Sequence, residues 1–556
     1  MKDIIRDSTV GQILNAVSKG RLLPYPDQRP DYVIPARYLS TNASTESAPV
    51  SRRPSAATLV DSQIVLQESP VDVEKGVEKP VAEFEEPANP FLVTWDGPND
   101  PDNPRNWSQN KRIFVASLIS LLTFSVYIGS AIYTSAIPGL QVHFNTSQTM
   151  GTLGLTLFVL AYGIGPMFLA PLQELPYIGR NPVYIIGLAL FVIFQIPEIF
   201  AKNMSTVLVF RFFSGFVGSP ALATGGASMG DLFPPHKLPY ALGVWAIGAV
   251  SGPVLGPVIG GFAAQANGWK WPFLELLWIS GFGFIILVIS LPETLDSTIL
   301  LRRAERLRKL TGNPNLKTQA ELDQTVGASA IGLATENFVL AFKLAVEPAL
   351  LFAHAYISLV YAIFYTWFEA FPLVFNDIYH FNLGVGGLPY LGFVVSGIIT
   401  FTAYVLYNRY HIEPRYEKNP DLAPEVRLEL GLIASFFIPI SLFLFGWSAR
   451  ESVHWIVPII GAALYLPGIF LIFQSILLYV GMGYPRHAAS IYAGNDLFRS
   501  TFASFFPLFG RALFTKLGLG GGSSLLAGLS ILMIPLLYLI MKRGAGLRAR
   551  SKWTKP

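Results

Sequence analysis

The stretch Ser251–Phe262 reads SGPVLGPVIGGF and lies within Ala241–Gln265, a segment without one charged residue. Proline removes a backbone donor and glycine loosens the chain, so in water two prolines and four glycines would break a helix here. In hydrocarbon the backbone has no water to bond, and a crossing segment stays helical while tolerating both residues. Gly252, Gly256 and Gly260 are four apart and share one face; Pro253, Pro257 and Gly261 follow them in turn. Small residues at that spacing let a neighbouring helix approach closely. The segment is expected to be a kinked membrane helix with a smooth seam, which sets the fold class: an all-α integral membrane protein.

Composition agrees. Of 556 residues, 52% are hydrophobic and only 14% charged, against roughly 25% charged in soluble domains. Cysteine is absent, which excludes disulfides, thiolate metal sites and cysteine nucleophiles. The net charge of +4 would suit an anionic partner. The basic residues sit between apolar runs, however, which fits lipid headgroups and not nucleic acid. No apolar run precedes the first long one, so no cleavable signal is expected.

A spanning helix needs about 20 mostly apolar residues. Six windows satisfy this from Ile113 to Leu291 and six more from Leu350 to Met541, giving twelve transmembrane helices in two six-helix pseudo-symmetric halves. The expected organisation is a largely disordered tail (1–110), a first bundle (111–292), a linker (293–344), a second bundle (345–542) and a basic tail (543–556). The tail opens with apolar residues at helical spacing (Ile4, Ile5, Ile13, Leu14, Val17), which suit either a helix on the membrane surface or a merely disordered start, while Ser40–Glu86 has the Ser, Pro and Glu content of disorder. Lys and Arg crowd one set of connections, from Lys111 and Arg112 through Arg302–Lys309 to Arg548 and Arg550. By the positive-inside bias both termini and the linker are cytosolic, and the sequon at Asn145 falls on the external side, where glycosylation is expected.

Charges inside apolar windows mark function, since each costs a few kcal/mol at depth. Arg211, in RFFSGFVGS on the fourth span, is the clearest. Asp231 closes the same span, as a gate, a structural or a coupling residue. Glu369 on the seventh span reads as a proton carrier or as an attractor of cations. Asp496 and Arg499 are three apart on the eleventh span, hence neighbours on one face; a salt bridge that makes burial tolerable is the simplest reading. Between spans two and three, Glu174 precedes Gly179-Arg180 in PLQELPYIGRNPVY. From the residues alone Glu174 reads as a solvated loop charge. GLGGGSS, Gly518–Ser524, lacks the lysine of a phosphate loop and reads as an external loop. No metalloprotease helix, nucleophile elbow or metal cluster occurs, so neither an enzyme nor a cofactor is expected.

Together GPVLGPVIGGF, RFFSGFVGS, PLQELPYIGRNPVY, WFEAFPLVF and YPRHAASIYAGNDLFRS resemble the major facilitator superfamily, within it the twelve-span fungal drug:proton antiporters. The resemblance covers the chain from about Asp96 onward. It implies alternating access about a midplane cavity and export of hydrophobic drugs, fungicides or toxins across the plasma membrane by a monomer, driven by protons. It further implies proton transfer at Arg211 with an acidic partner, a cytosolic gate at Glu174, Gly179 and Arg180, and an antiporter motif at Gly252–Gly261. By helical position Tyr127, Tyr133, Trp245, Tyr365, Phe371, Asn495, Asp496 and Arg499 are the expected lining of an apolar, aromatic substrate cavity. A dedicated exporter of one secondary metabolite is the first alternative, and a proton-coupled nutrient importer the second.

Overall fold

The computed structural model of the chain describes residues 2–18, 20–29, 32–35, 38–39, 89, 91–234, 236–325, 330–419, 422–484 and 488–553. The stretch Ser40–Glu86, expected to be disordered, lies wholly outside them. Among the described residues the secondary structure is helical, with two isolated bridges and no ladder.

Among the described residues ten helical runs are long and apolar enough to cross a membrane. The first six crossings are α1 (Gln109–Phe144), α2 (Gln148–Glu174), α3 (Arg180–Ile199), α4, α5 (Leu238–Asn267) and α6 (Trp271–Ser290). Of these, α4 is shorter, Met204–Gly218, and is prolonged by Pro220–Ala223 and Gly225–Leu232. Then come α7 (Pro348–Ile378), α8 (Val385–Lys418), α9 (Pro424–Ser448) and α10 (Ile456–Gly483). The last run, Ser490–Arg550, is 61 residues long. Straight, it would extend about 90 Å, three bilayer cores deep. It divides at Gly518, whose φ of 72° and ψ of 161° are not helical. The halves are α11 (residues 490–517) and α12 (residues 519–550). Dividing that run and adding α4 gives twelve crossings, consistent with the sequence expectation. The stretch Gly518–Ser524 is corrected, however: only Gly518 breaks the helix, and Leu519–Ser524 is the helical start of α12.

The opening stretch is one continuous helix of 30 residues, Pro253 and Pro257 included. A Cβ on Gly252 would stand 2.7 Å from the Ile128 nitrogen, and one on Gly256 2.7 Å from that of Ile132. On Gly260 it would meet Ile132 at 2.8 Å. The seam therefore presses α5 onto the backbone of α1. Gly261 faces elsewhere, toward the Leu383 carbonyl before α8.

The N-terminal residues form helices, Lys2–Asp7 and Thr9–Val17, and lie on protein. Thr9 Oγ1 donates to Asn181 Oδ1 at 2.7 Å, and Ser8 bridges to Pro292. Ile13 and Val17 stay exposed on the far side. A connector helix, Asp296–Thr311, follows α6. Its Arg303 holds Asp100 at 2.6 Å and Asp102 at 3.0 Å, and its Arg306 holds Asp27 at 2.7 Å. Burial pushes the Asp100 carboxyl up, but the Arg303 guanidinium and two backbone amides outweigh it and hold it below its ordinary value.

Candidate functional site

Between the two groups of helices lies a hollow of about 800 Å³, open in part to its surroundings and walled by α1, α5, α7, α10 and α11. Its surface is mostly apolar and aromatic: Tyr127, Trp245, Tyr361, Phe364, Phe470 and Phe473, with Arg499 as its charge. Through Ala246, Val250, Leu466 and Phe470 it continues into a groove between α5 and α8. Exposed Ile247, Val394 and Ile398 line that groove on the flank where lipid tails would lie.

Of the residues expected to line a cavity, Tyr127, Trp245 and Arg499 do. The other five stand elsewhere, Asp496 in a salt bridge with Arg499. Tyr133 stacks beneath Arg211. Tyr365 is fully buried in a hydroxyl network and Phe371 lines a second hollow beside Glu369. Asn495 bonds His354 Nδ1 at 3.0 Å. Helical position alone does not fix which of two inward faces meets empty space. Tyr361, Phe364 and Phe473 were missed for the same reason.

The cavity floor is a network that crosses between the two groups of six helices. Tyr162 and Tyr361 share a hydroxyl bond of 2.8 Å, Tyr361 donates to Tyr127 at 3.0 Å, and Tyr365 donates to Ser130 at 3.2 Å. Arg499 Nη1 reaches Tyr127 at 3.3 Å and its Nη2 binds Asp496, the i, i+3 pair anticipated from spacing.

Two further groups of charge flank this network. On one side Arg211 is completely buried, its guanidinium carbon 4.2 Å from the Phe158 ring and 4.6 Å from that of Tyr133. Nε donates to the Gly154 carbonyl at 3.3 Å. Among the described residues Nη1 and Nη2 have no hydrogen-bond partner. One turn further along α4, Ser214 donates at 3.0 Å to Glu198 of α3, an acid that is also fully buried. Glu198 escaped the sequence reading because it stands near the end of its apolar window, where charges are ordinary. Its signal was Gln195, a second polar residue three positions earlier on the same face. On the other side Glu369 accepts from Thr152 at 3.0 Å and Gln148 at 3.4 Å, tying α7 to α2.

At the basic end of the bundle, Arg180 pairs with Asp231, not with Glu174: Nε to Oδ2 is 2.5 Å. Glu174 lines a separate hollow with Thr224 and Tyr492. Glu293, another residue the sequence reading missed, accepts from the amides of Arg180 at 3.1 Å and Asn181 at 3.2 Å, capping α3. Gly179 has a φ of 79°, and a side chain there would collide with Glu293. Asn145 is exposed in the turn before α2, at the opposite end.

A bundle of membrane-spanning helices around an apolar cavity, with buried charges beside it, is the architecture of a membrane transporter. The chain belongs to the Major Facilitator Superfamily, whose family description matches residues 119–507. It is similar to Transporter mfs1 of Schizosaccharomyces pombe, 44% identical over 83% of this chain and 88% of that protein. Fluconazole resistance protein 1 of Saccharomyces cerevisiae is 40% identical over 84% and 86%. The Cycloheximide resistance protein of Candida maltosa is 38% identical over the whole of both chains. Among solved structures, the proton:xylose symporter XylE matches 78% of this chain and 97% of its own with a TM-score of 0.56 at 13% identity, a likeness of fold.

Proposed function

We propose that the chain exports hydrophobic small molecules, drugs and fungicides among them, in exchange for protons. The observation that carries this reading is the cavity, whose aromatic wall binds through burial and so accepts varied ligands. Two relatives named for fluconazole and cycloheximide resistance support it. The basic end is cytosolic in this reading, the membrane is the plasma membrane, and the protein works as a monomer with Asn145 glycosylated outside.

The working parts then have distinct roles. Arg211 manages the proton. Arg180 and Asp231 close the cytosolic side, with Glu293 and Gly179 shaping that lock. Glu369 closes the outer side by holding Thr152 and Gln148 across the two halves. The glycine seam of α5 keeps α1 and α5 together as one wall while the halves rock. Hydrophobic cargo enters sideways through the groove between α5 and α8.

The test is growth of a pump-deficient yeast expressing the chain, across a panel that includes fluconazole and cycloheximide. Raised survival on several chemically unrelated compounds, lost in Tyr361→Ala, is the expected result. Survival on a single chemical class supports a dedicated exporter, and no protection by protein that reaches the cell surface contradicts export.

A further inference from the structure

We propose that Glu198 is the residue that carries the proton, with Arg211 as its permanently ionised counter-charge. This rests on the reading of the chain as a proton-coupled exporter and assigns that chemistry to a side chain.

The argument starts from what is left unpaired. An arginine stays ionised in proteins, so a buried guanidinium requires a compensating group. Arg211 has one hydrogen bond, from Nε, while Nη1 and Nη2 have none. Beside it, Glu198 has one oxygen bonded by Ser214 and Oε2 without a partner. Buried polar groups are almost always satisfied, so two such open groups in one pocket mark a place that changes state. The ionisable groups that act on Glu198 are few. Arg211 comes from α4 and acts directly. Tyr133 comes from the turn within α1, its hydroxyl given to the Gly151 carbonyl. Among the described residues the other helices packed on α3 bring no charge to it, Glu275 of α6 included.

Ionised, Glu198 binds the open nitrogens of Arg211 and the pair is neutral. Protonated, its O–H has an acceptor three residues back on the same face, Gln195 Oε1, which is buried and without a partner. In the arrangement seen neither contact is made: Oε2 of Glu198, Oε1 of Gln195 and the two terminal nitrogens of Arg211 are all open, between the two states. One proton enters from the side opposite the basic connections, where Glu198 stands one residue from the end of α3, and the same proton leaves toward the other side. Glu369 is a weaker candidate because donors occupy both of its oxygens.

Arg211 also offers a route to the other half. Its Nε holds the Gly154 carbonyl, and two residues earlier on α2 Thr152 holds Glu369. When Arg211 swings to an ionised Glu198 it releases the segment of α2 that closes against α7.

The test uses the purified full chain in vesicles, with labelled cycloheximide or fluconazole as cargo and a trapped pH-sensitive dye. Glu198→Gln is expected to lose gradient-driven accumulation and cargo-stimulated proton movement, falling to the level of protein-free vesicles. It should keep the parent's cargo exchange in the absence of a gradient. Glu198→Asp should restore driven transport with a displaced pH profile. A Glu198→Gln protein that still couples, or that loses exchange as well, overturns the assignment, the second outcome meaning that Glu198 is structural. A parent that carries cargo without moving protons overturns the exporter reading itself, which separates the two failures.

Discussion

At the scale of single residues, function turns on how buried charge is compensated. Arg211 and Glu198 are predicted to be energetically coupled, because removing one partner strands the other in a low-dielectric interior. Arg211→Ala should lower the unfolding midpoint in detergent, and the added Glu198→Gln should recover part of it. The coupling in such a cycle is expected at about 0.5–3 kcal/mol. Strict additivity would mean the two do not share a pocket. Arg211 was legible in the sequence because a lone arginine in an apolar window is too costly to persist without a role. Asp496 and Arg499 were legible as neighbours because i, i+3 spacing needs no tertiary information. The partner of Arg180 was not: Glu174 is near in the chain, but α4 brings Asp231 in from 51 positions away. The same limit hid Glu293, which acts through the backbone of another helix.

At the scale of elements, length and hydropathy sufficed to place the crossings, since a bilayer fixes how many apolar residues a helix needs. The glycine-rich run after Gly518 misled because glycine is tolerated in membrane helices, and only φ and ψ reveal which one breaks. The seam of α5 makes a sharp prediction. Gly256→Leu would drive its side chain into Ala131 and Ile132 of α1, where even a Cβ meets Ala131 Cβ at 2.8 Å. Overpacking of that kind costs about 1–3 kcal/mol, read as a lowered thermal midpoint with reduced transport. A variant as stable and active as the parent would show that close approach there is unimportant. The strap on the connector helix has a pH dependence of known sign. Asp100 is held below its ordinary value, so its contribution is complete above that value and lost as pH falls through the depressed one. Hydrogen-exchange protection of residues 91–106 should thus be constant from neutral pH to mild acid and fall only below about pH 4. Asp100→Asn should show the loss at neutral pH. Protection that declines between pH 8 and 6 would implicate another group.

At the scale of the whole molecule, the two groups of six helices meet at both ends and enclose the cavity between them. Glu369 with Thr152 and Gln148 joins them at one end. At the other, Tyr240 donates to Glu413 at 2.8 Å and Tyr404 to the Pro239 carbonyl at 3.4 Å. These end contacts are polar, but between them the halves also pack closely, Gly163 of α2 against Ser500 of α11 and Gly387 of α8 against the Pro257 carbonyl of α5, as the α1–α5 seam does within one half. Such a division was only partly legible: the repeat of six crossings predicts two halves, but which surfaces are permanent and which open depends on contacts between residues hundreds of positions apart. The most direct measurement imposes a pH gradient across vesicles holding the purified chain and follows a hydrophobic cargo with and without a proton ionophore. Exchange for protons predicts accumulation against the cargo's own gradient that vanishes when the ionophore is added. Equal accumulation after the pH difference is gone would contradict it.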